Sequence, residues 1–166
     1  MVALAVSNGK KRDSGAALRA RLKELGFLKA GARQKTLLAL CHAGNLHGGL
    51  SISLSATPDE VLGGLCAAMG GAAAKLRLED VRGKGSFELH VRVGEVLERW
   101  EVEGVEGLVH NLNDLFRSDQ TVRAVAVLGE WEDMLQLWCL DRLRLLVALQ
   151  ERWFEPLNRI TLEKDT

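Results

Sequence analysis

The sequence predicts an α+β fold: an antiparallel sheet with helices packed on one face, preceded by a basic N-terminal helical segment. Patterns of paired strands alternate with single amphipathic helices along most of the 166 residues, and basic side chains are concentrated at the start. Hydrophobic residues make up 47% of the chain, which is enough for a packed core. We therefore expect a basic arm over residues 1–35, one α+β domain over 36–160 and a polar tail over 161–166.

The basic arm carries nine Lys or Arg residues and two acidic residues, a net charge of +7. Because the whole chain has 22 basic and 22 acidic residues, the remainder carries −7. Such a division is typical of an arm that meets nucleic acid or an acidic protein surface, although the arm can equally fold back on its own acidic domain. The residues expected to contact nucleic acid under the first interpretation are Lys10, Lys11, Arg12, Arg19, Arg21 and Lys23.

The first predicted elements are one helix, one ambiguous segment and one strand. Ser14 is a suitable N-cap for a helix that ends near Leu25, where Gly26 stops it. Residues 32–43 fit either a buried strand or a second helix, and we favour the helix. Leu50–Ser55 alternates apolar and small polar residues, which predicts a half-buried strand.

The clearest local signal of the chain is a capping box. The Thr57 hydroxyl can accept a hydrogen bond from the Glu60 N–H, and Pro58 occupies the first helical position. A helix is therefore predicted from this point to Met69. Lys75–Glu79 is a candidate strand after it.

A β-hairpin is predicted over residues 87–102. Phe87–Val93 alternates strictly, Gly94-Glu95 fits a two-residue type II′ turn, and Val96–Val102 returns. Such a turn sets the register, so that one face is apolar and the other is polar. The predicted facing pairs are Phe87 and Val102, Leu89 and Trp100, Val93 and Val96, His90 and Arg99, and Glu88 and Glu101.

The second half repeats the order of strand pair and helix. Val105–Phe116 has apolar residues at helical spacing. Thr121–Leu128 and Met134–Leu140 are predicted strands joined by residues 129–133. Asp141 is a suitable N-cap for a last helix that runs through Phe154.

The order of elements over residues 57–155 resembles the type III secretion effector chaperones and related bacterial regulators of the same fold. The resemblance rests on that order and on the helix 105–116 between two antiparallel pairs, without a diagnostic motif. It implies a bacterial homodimer that binds extended segments of another protein and has no catalytic site.

Location and redox state are predicted from the cysteines and the chain start. Cys41, Cys66 and Cys139 are odd in number and far apart, which favours free thiols over a disulfide framework. No apolar run is long enough to cross a membrane, and the first residues do not resemble a secretory signal. We expect a cytoplasmic protein with no membrane contact.

Two groups of residues are candidates for chemistry. Cys41, His42 and His47 bring a thiol and two imidazoles together in sequence, which suits a thiol nucleophile or zinc, but a buried cysteine with surface histidines is the simpler interpretation. The polar face of the predicted hairpin offers a second group, and solvated charges are the simpler interpretation there. We expect no catalytic residue, no metal and no cofactor; a small Cys/His enzyme is the remaining alternative. The hairpin group consists of Glu88, His90, Arg99 and Glu101.

Trp131 is the strongest candidate for partner contact. It stands in a predicted turn among acidic residues, and tryptophan with a charged rim is typical of an interface anchor; alternatively the ring folds back over the sheet edge. The predicted function is a non-enzymatic protein-binding module, chaperone-like or adaptor-like, acting through a dimer or a partner segment, and a nucleic-acid-associated protein is the alternative. The predicted partner-binding residues are Trp131, Glu130, Glu132, Asp133 and Trp153.

Overall fold

The computed structural model of the protein describes residues 15–83 and 86–163. Within these residues it contains helices and antiparallel strands, so the predicted α+β class is confirmed. The helices are α1 (Ala16–Glu24), α2 (Leu37–His42), α3 (Pro58–Met69), α4 (Val105–Leu115), α5 (Arg142–Leu149) and α6 (Arg159–Glu163), with a 3₁₀ turn at Gly71–Lys75. The strands are β1 (Gly49–Ser53), β2 (Arg77–Arg82), β3 (Phe87–Val93), β4 (Val96–Val102), β5 (Ala124–Trp131) and β6 (Met134–Leu140).

The strands form two three-stranded antiparallel sheets, in the orders β1-β6-β5 and β2-β3-β4. The sequence led us to expect one sheet, but neither β5 nor β6 pairs with β2, β3 or β4. The third strand of the first sheet is β1. This strand pairs with β6, far along the chain, so that Leu50 lies opposite Leu137 and Ser51 opposite Gln136. Alternation within a strand does not encode so distant a partner.

The sheet β1-β6-β5 is buried on both faces. One face, which includes Ala126 and Trp138, packs against helices α1, α2 and α5. The other face, which includes Val125 and Leu137, packs against α3, α4 and the second sheet. Helices therefore cover both faces of this sheet, whereas we expected them on one, and the nearly continuous apolar sequence of Leu135–Leu140 is typical of a strand buried on two sides.

The outer edge of β5 is closed by side chains and a loop. Asn113 pairs with Val125 as a neighbouring strand would, since its amide accepts from the Val125 N–H and donates to the Val125 carbonyl, each at 2.9 Å. Asn158 accepts from the Val127 N–H at 2.8 Å, and the Leu157 N–H donates to the Val127 carbonyl at 2.8 Å. No further strand can pair with this part of the edge.

The predicted hairpin and the Thr57 half of the predicted capping box are confirmed. Thr57 Oγ1 accepts from the Glu60 N–H at 3.4 Å, and α3 begins at Pro58. All five predicted facing pairs of β3 and β4 occur, from Phe87 with Val102 to Val93 with Val96. Gly94 has a φ of +60°, as the first central residue of a type II′ turn requires.

The ambiguous segment 32–43 contains a helix, α2. Thr36 caps it by accepting from the Ala39 N–H at 3.1 Å. The predicted cap of the first helix, Ser14, lies outside the described residues.

The C-terminal part differs most from the expectation. Helix α5 ends at Leu149 rather than near Phe154, and the following turn places Trp153 and Phe154 beside Trp138, with ring centroids 6.5 and 5.4 Å away. Helix α6 then buries Leu162, so packing continues past the expected boundary at residue 160. No helix of the described residues is long and apolar enough to span a membrane.

Candidate partner-binding site

The hairpin of β5 and β6 ends in a tight turn of two acidic residues. Glu132 and Asp133 have φ angles of +55° and +59°, as a type I′ turn requires, and Trp131 pairs with Met134. The expected connection of five residues is therefore shorter, because β5 continues to Trp131. Three acidic side chains at this tip, those of Glu130, Glu132 and Asp133, are exposed.

Trp131 differs from the buried tryptophans of the sheets. Its side chain is 37% exposed, whereas that of Trp138 is fully buried. Residues directly opposite one another share a face of an antiparallel pair, so Trp131, Met134 and Ser53 form one row across the sheet. The ring thus stands at the exposed end of the face that α2 covers.

A buried amide holds this end of the sheet. Gln136 is fully buried, and its Nε2 lies 3.2 Å from the Trp131 carbonyl and 3.2 Å from His42 Nδ1. Its Oε1 accepts from Ser51 Oγ at 2.5 Å. The network joins β1, β6, the hairpin tip and the end of α2, so the backbone that carries Trp131 is fixed in position. Sequence reasoning missed Gln136, although it is the one polar residue in the apolar run of β6.

Trp153 lies at the wall of a neighbouring groove of about 240 Å³. Its ring stacks on Phe154, with centroids 5.9 Å apart and planes 14° apart. The indole Nε1 is buried and has no hydrogen-bond partner in the described part of the chain. The groove is lined by Thr36, Leu37, Leu38, Leu128, Trp153, Phe154 and Glu155.

A β-bulge connects the groove with the hairpin tip. The register of β5 and β6 shifts between Val127 and Gly129, and Leu128 at the bulge lines the groove. Leu38 of the groove wall lies beside Gly129, since a Cβ atom built there would be 3.4 Å from Leu38 Cδ2. Gly129 is two residues before Trp131 on the same strand. We call this surface the two-tryptophan groove: Trp131, Trp153, Leu37, Leu38 and Leu128, with an acidic rim of Glu130, Glu132, Asp133 and Glu155.

The basic arm lies on the folded domain as far as it is described. Leu22 is fully buried, and Phe27 meets Trp138 edge to face with centroids 4.9 Å apart. Arg19 donates to the Gln34 carbonyl at 2.8 Å, and Arg21 forms an ion pair of 2.7 Å with Glu151. That pairing with Glu151 raises the pKa of the Arg21 guanidinium.

These contacts bear on the nucleic-acid interpretation. Arg21 uses its charge on the protein's own carboxylates, whereas Lys23 is exposed. Lys10, Lys11 and Arg12 lie outside the described residues. The described part of the arm thus matches the interpretation in which the arm folds back on its own domain.

The sequence cluster of Cys41, His42 and His47 is not a cluster in space. Cys41 is buried, and its Sγ donates to the Leu137 carbonyl at 3.3 Å, while both imidazoles are exposed. Burial raises the pKa of the Cys41 thiol, which opposes thiolate chemistry. Over residues 15–83 and 86–163, no group of three or more His, Cys, Asp or Glu side chains could hold a metal ion.

The polar face of β3 and β4 carries an ion-pair network. Glu88 accepts from His90 at 3.0 Å and from Arg99 at 3.1 Å. The hydrogen bond with His90 lowers the pKa of the Glu88 carboxyl. Arg99 also pairs with Glu101 at 3.1 Å. A carboxylate with a lowered pKa is a weak base, so this arrangement matches solvated charges better than acid–base catalysis.

Comparisons of the chain with protein-family profiles, with curated proteins and with solved structures each find no match. The resemblance of the element order to type III secretion effector chaperones accordingly stays a prediction. Functional assignment therefore depends on the geometry of the described residues.

Proposed function

We propose that this protein is a non-enzymatic protein-binding module that holds an extended segment of a partner in the two-tryptophan groove. The observation that carries the proposal is Trp131, which is 37% exposed at the end of the β5–β6 hairpin and lies two residues from Gly129, beside Leu38 of the groove wall. Large aromatic side chains held rigidly at a surface are the usual anchors of protein interfaces. The module would act in the cytoplasm in a chaperone-like or adaptor-like role.

The chemistry of the groove defines the segment that would fit it. The acidic rim favours Lys or Arg on the partner. Among the described residues, Glu155 forms an ion pair with Arg159, and the other three acidic residues of the rim form none. We therefore expect a basic segment with at least one large apolar side chain.

Groove binding is favoured over addition of a strand to β5. The outer backbone groups of Val125 and Val127 already bind Asn113, Asn158 and Leu157. A partner strand would have to displace these contacts before it could pair. Side-chain capture beside the tip requires no such displacement.

Selection from a displayed library of random peptides tests the proposal. Bound peptides are expected to combine an apolar anchor with Lys or Arg, and Trp131→Ala should weaken their binding by about tenfold or more, equivalent to about 1.4 kcal/mol. Because Trp131 is partly exposed, its removal should change the melting temperature little.

Leu97→Ala is the matched control, since Leu97 is 52% exposed on β4, outside the groove. Peptides that bind Trp131→Ala and the unaltered protein equally well would contradict the proposal, as would selected peptides rich in Asp or Glu.

The homodimer implied by the resemblance is a second part of the proposal. Leu143 and Val147 lie one turn apart on α5, and they are 77% and 46% exposed. Apolar side chains that line one outward face of a helix support self-association. The groove and this face of α5 are separate surfaces, so a dimer would leave the groove accessible.

A further inference from the structure

A large cleft lies at the end of the β5–β6 hairpin remote from Trp131, where Ala124 pairs with Leu140. It measures about 620 Å³, a size typical of sites for small molecules. The loop between α4 and β5 forms one wall, and the first turn of α5 forms another. Met69, Phe116 and Val122 contribute a buried apolar floor.

Four arginines and two aspartates line this cleft. Arg142 donates to the Leu162 carbonyl at 3.1 Å, and Arg144 lies over the Phe27 ring, so Arg117 and Arg123 are the arginines that would contact a ligand. The fold brings the four arginines together from three places: Arg117 follows α4, Arg123 precedes β5, and Arg142 and Arg144 occupy the first turn of α5. The chain as a whole is neutral, so this is a local concentration of positive charge. We call this feature the arginine cleft.

Arg117 has unused capacity to donate hydrogen bonds. Its side chain is only 11% exposed, and Nη2 donates to Asp114 Oδ1 at 2.9 Å. Nη1 is buried and lacks a hydrogen-bond partner among the described residues. A buried guanidinium N–H without an acceptor is costly, and a small shift of the Arg117 side chain towards an anion in the cleft would supply one.

The aspartates of the cleft do not pair with Arg123 in the described chain. Asp119 accepts from the Thr121 N–H and hydroxyl at 2.9 and 2.6 Å, which holds the loop and lowers the pKa of the Asp119 carboxyl. In the described chain, neither Asp119 nor Asp141 forms an ion pair with Arg123. Arg123 makes only a long hydrogen bond, 3.3 Å, to the Ala68 carbonyl.

We propose that the arginine cleft binds a small organic anion that bears a phosphate or carboxylate group. Planar guanidinium groups bind both groups through paired hydrogen bonds, and the apolar floor suits the uncharged part of such a ligand. This site is independent of the two-tryptophan groove, since the two lie at opposite ends of the β5–β6 hairpin. It gives the protein a small-molecule ligand in addition to a protein partner.

Isothermal titration calorimetry of the full chain tests the site, with pyrophosphate, ATP and citrate as probes at about 0.15 M ionic strength. At least one probe is expected to bind with a Kd below about 1 mM. Binding of pyrophosphate and ATP alone would identify a phosphate ligand, and binding of citrate alone would identify a carboxylate ligand. Both results support the site.

Charge reversal of Arg123 supplies the residue-level test. Arg123→Glu is expected to weaken binding at least about tenfold without unfolding the protein, because the side chain is exposed. Arg152→Glu makes the same change of charge on an exposed residue outside the cleft and should leave binding unchanged. The proposal is overturned if no probe binds below about 1 mM, or if the two variants lose affinity equally.

Discussion

Gln136 determines how the exposed Trp131 is presented. One fully buried amide contacts the Trp131 carbonyl, His42 and Ser51, which belong to three different segments. Trp131 could be selected from sequence because an aromatic residue among acidic residues is conspicuous. The support from Gln136 could not, because its partners are distant in sequence and their approach depends on the pairing of β1 with β6.

Because of its buried thiols, the protein should lose stability at alkaline pH. Burial raises the pKa of Cys139 to about 12 and that of Cys66 to about 11, from 9.0. Below pH 9 both thiols are protonated in the folded and unfolded states, so their contribution is fully present. Above pH 9 the unfolded chain loses these protons first, and the free energy of unfolding should fall by about 1.4 kcal/mol per pH unit for each thiol.

Urea unfolding at a series of pH values measures this slope. The series should begin below 9.0, the ordinary pKa of a cysteine thiol, and extend above it. Cys139→Ala should reduce it, whatever the cost of the smaller side chain at neutral pH, because the variant lacks the titrating group. Identical slopes for the variant and the unaltered protein would show that Cys139 ionises as readily in the folded state as in the unfolded chain.

The turns of the two hairpins differ in the residues that adopt a positive φ. Gly94 adopts a positive φ without strain, whereas Glu132 and Asp133 both hold one with full side chains. A left-handed conformation costs a residue with a Cβ about 1 kcal/mol. Asp133→Gly should therefore raise the free energy of unfolding by about 1 kcal/mol.

Glu95→Gly is the control for this prediction. Glu95 occupies the second central position of the other two-residue turn and has no positive φ, so glycine there should destabilise by adding backbone freedom to the unfolded chain. Thermal unfolding of both variants checks the contrast. Destabilisation by Asp133→Gly would mean that the acidic side chain makes a stabilising contact that outweighs the backbone strain.

Elements whose signals lie within a few consecutive residues could be predicted from the sequence. The register of β3 and β4 follows from a two-residue turn and strict alternation, and every predicted pair occurs. The predicted strand Thr121–Leu128 lies three residues before the observed β5, Ala124–Trp131, and its end was misplaced because the bulge at Gly129 interrupts the alternation. The groove wall could not be predicted either, since Leu38 and Trp153 come from elements that meet only in the folded chain.

At the scale of the whole molecule, the opposite charges of the arm and the domain meet within one chain. Arg21 of the arm forms an ion pair of 2.7 Å with Glu151 of the domain. The basic charge of the arm, which suggested an external acidic partner, is therefore partly neutralised by acidic residues of the same protein.

Self-association is a prediction at the same scale. We expect light scattering to give the mass of a dimer at both low and high salt, because the exposed face of α5 is apolar and salt screens only charges. Val147→Glu should yield a monomer, whereas Leu97→Glu, a similar change at an exposed residue of β4, should not. A monomer in the unaltered protein would contradict the proposed homodimer and leave the groove proposal intact.

The amide side chains along β5 also affect the fate of the protein when it is damaged. Residues 124–127 read Ala-Val-Ala-Val, an uncharged β-forming segment of the kind that assembles into fibrils when its edge is free. Asn113 and Asn158 occupy that edge, and Asn158 directly precedes α6. Proteolysis near residue 156 would remove Leu157 and Asn158 and would free the edge at Val127, so C-terminal clipping would expose a template for aggregation.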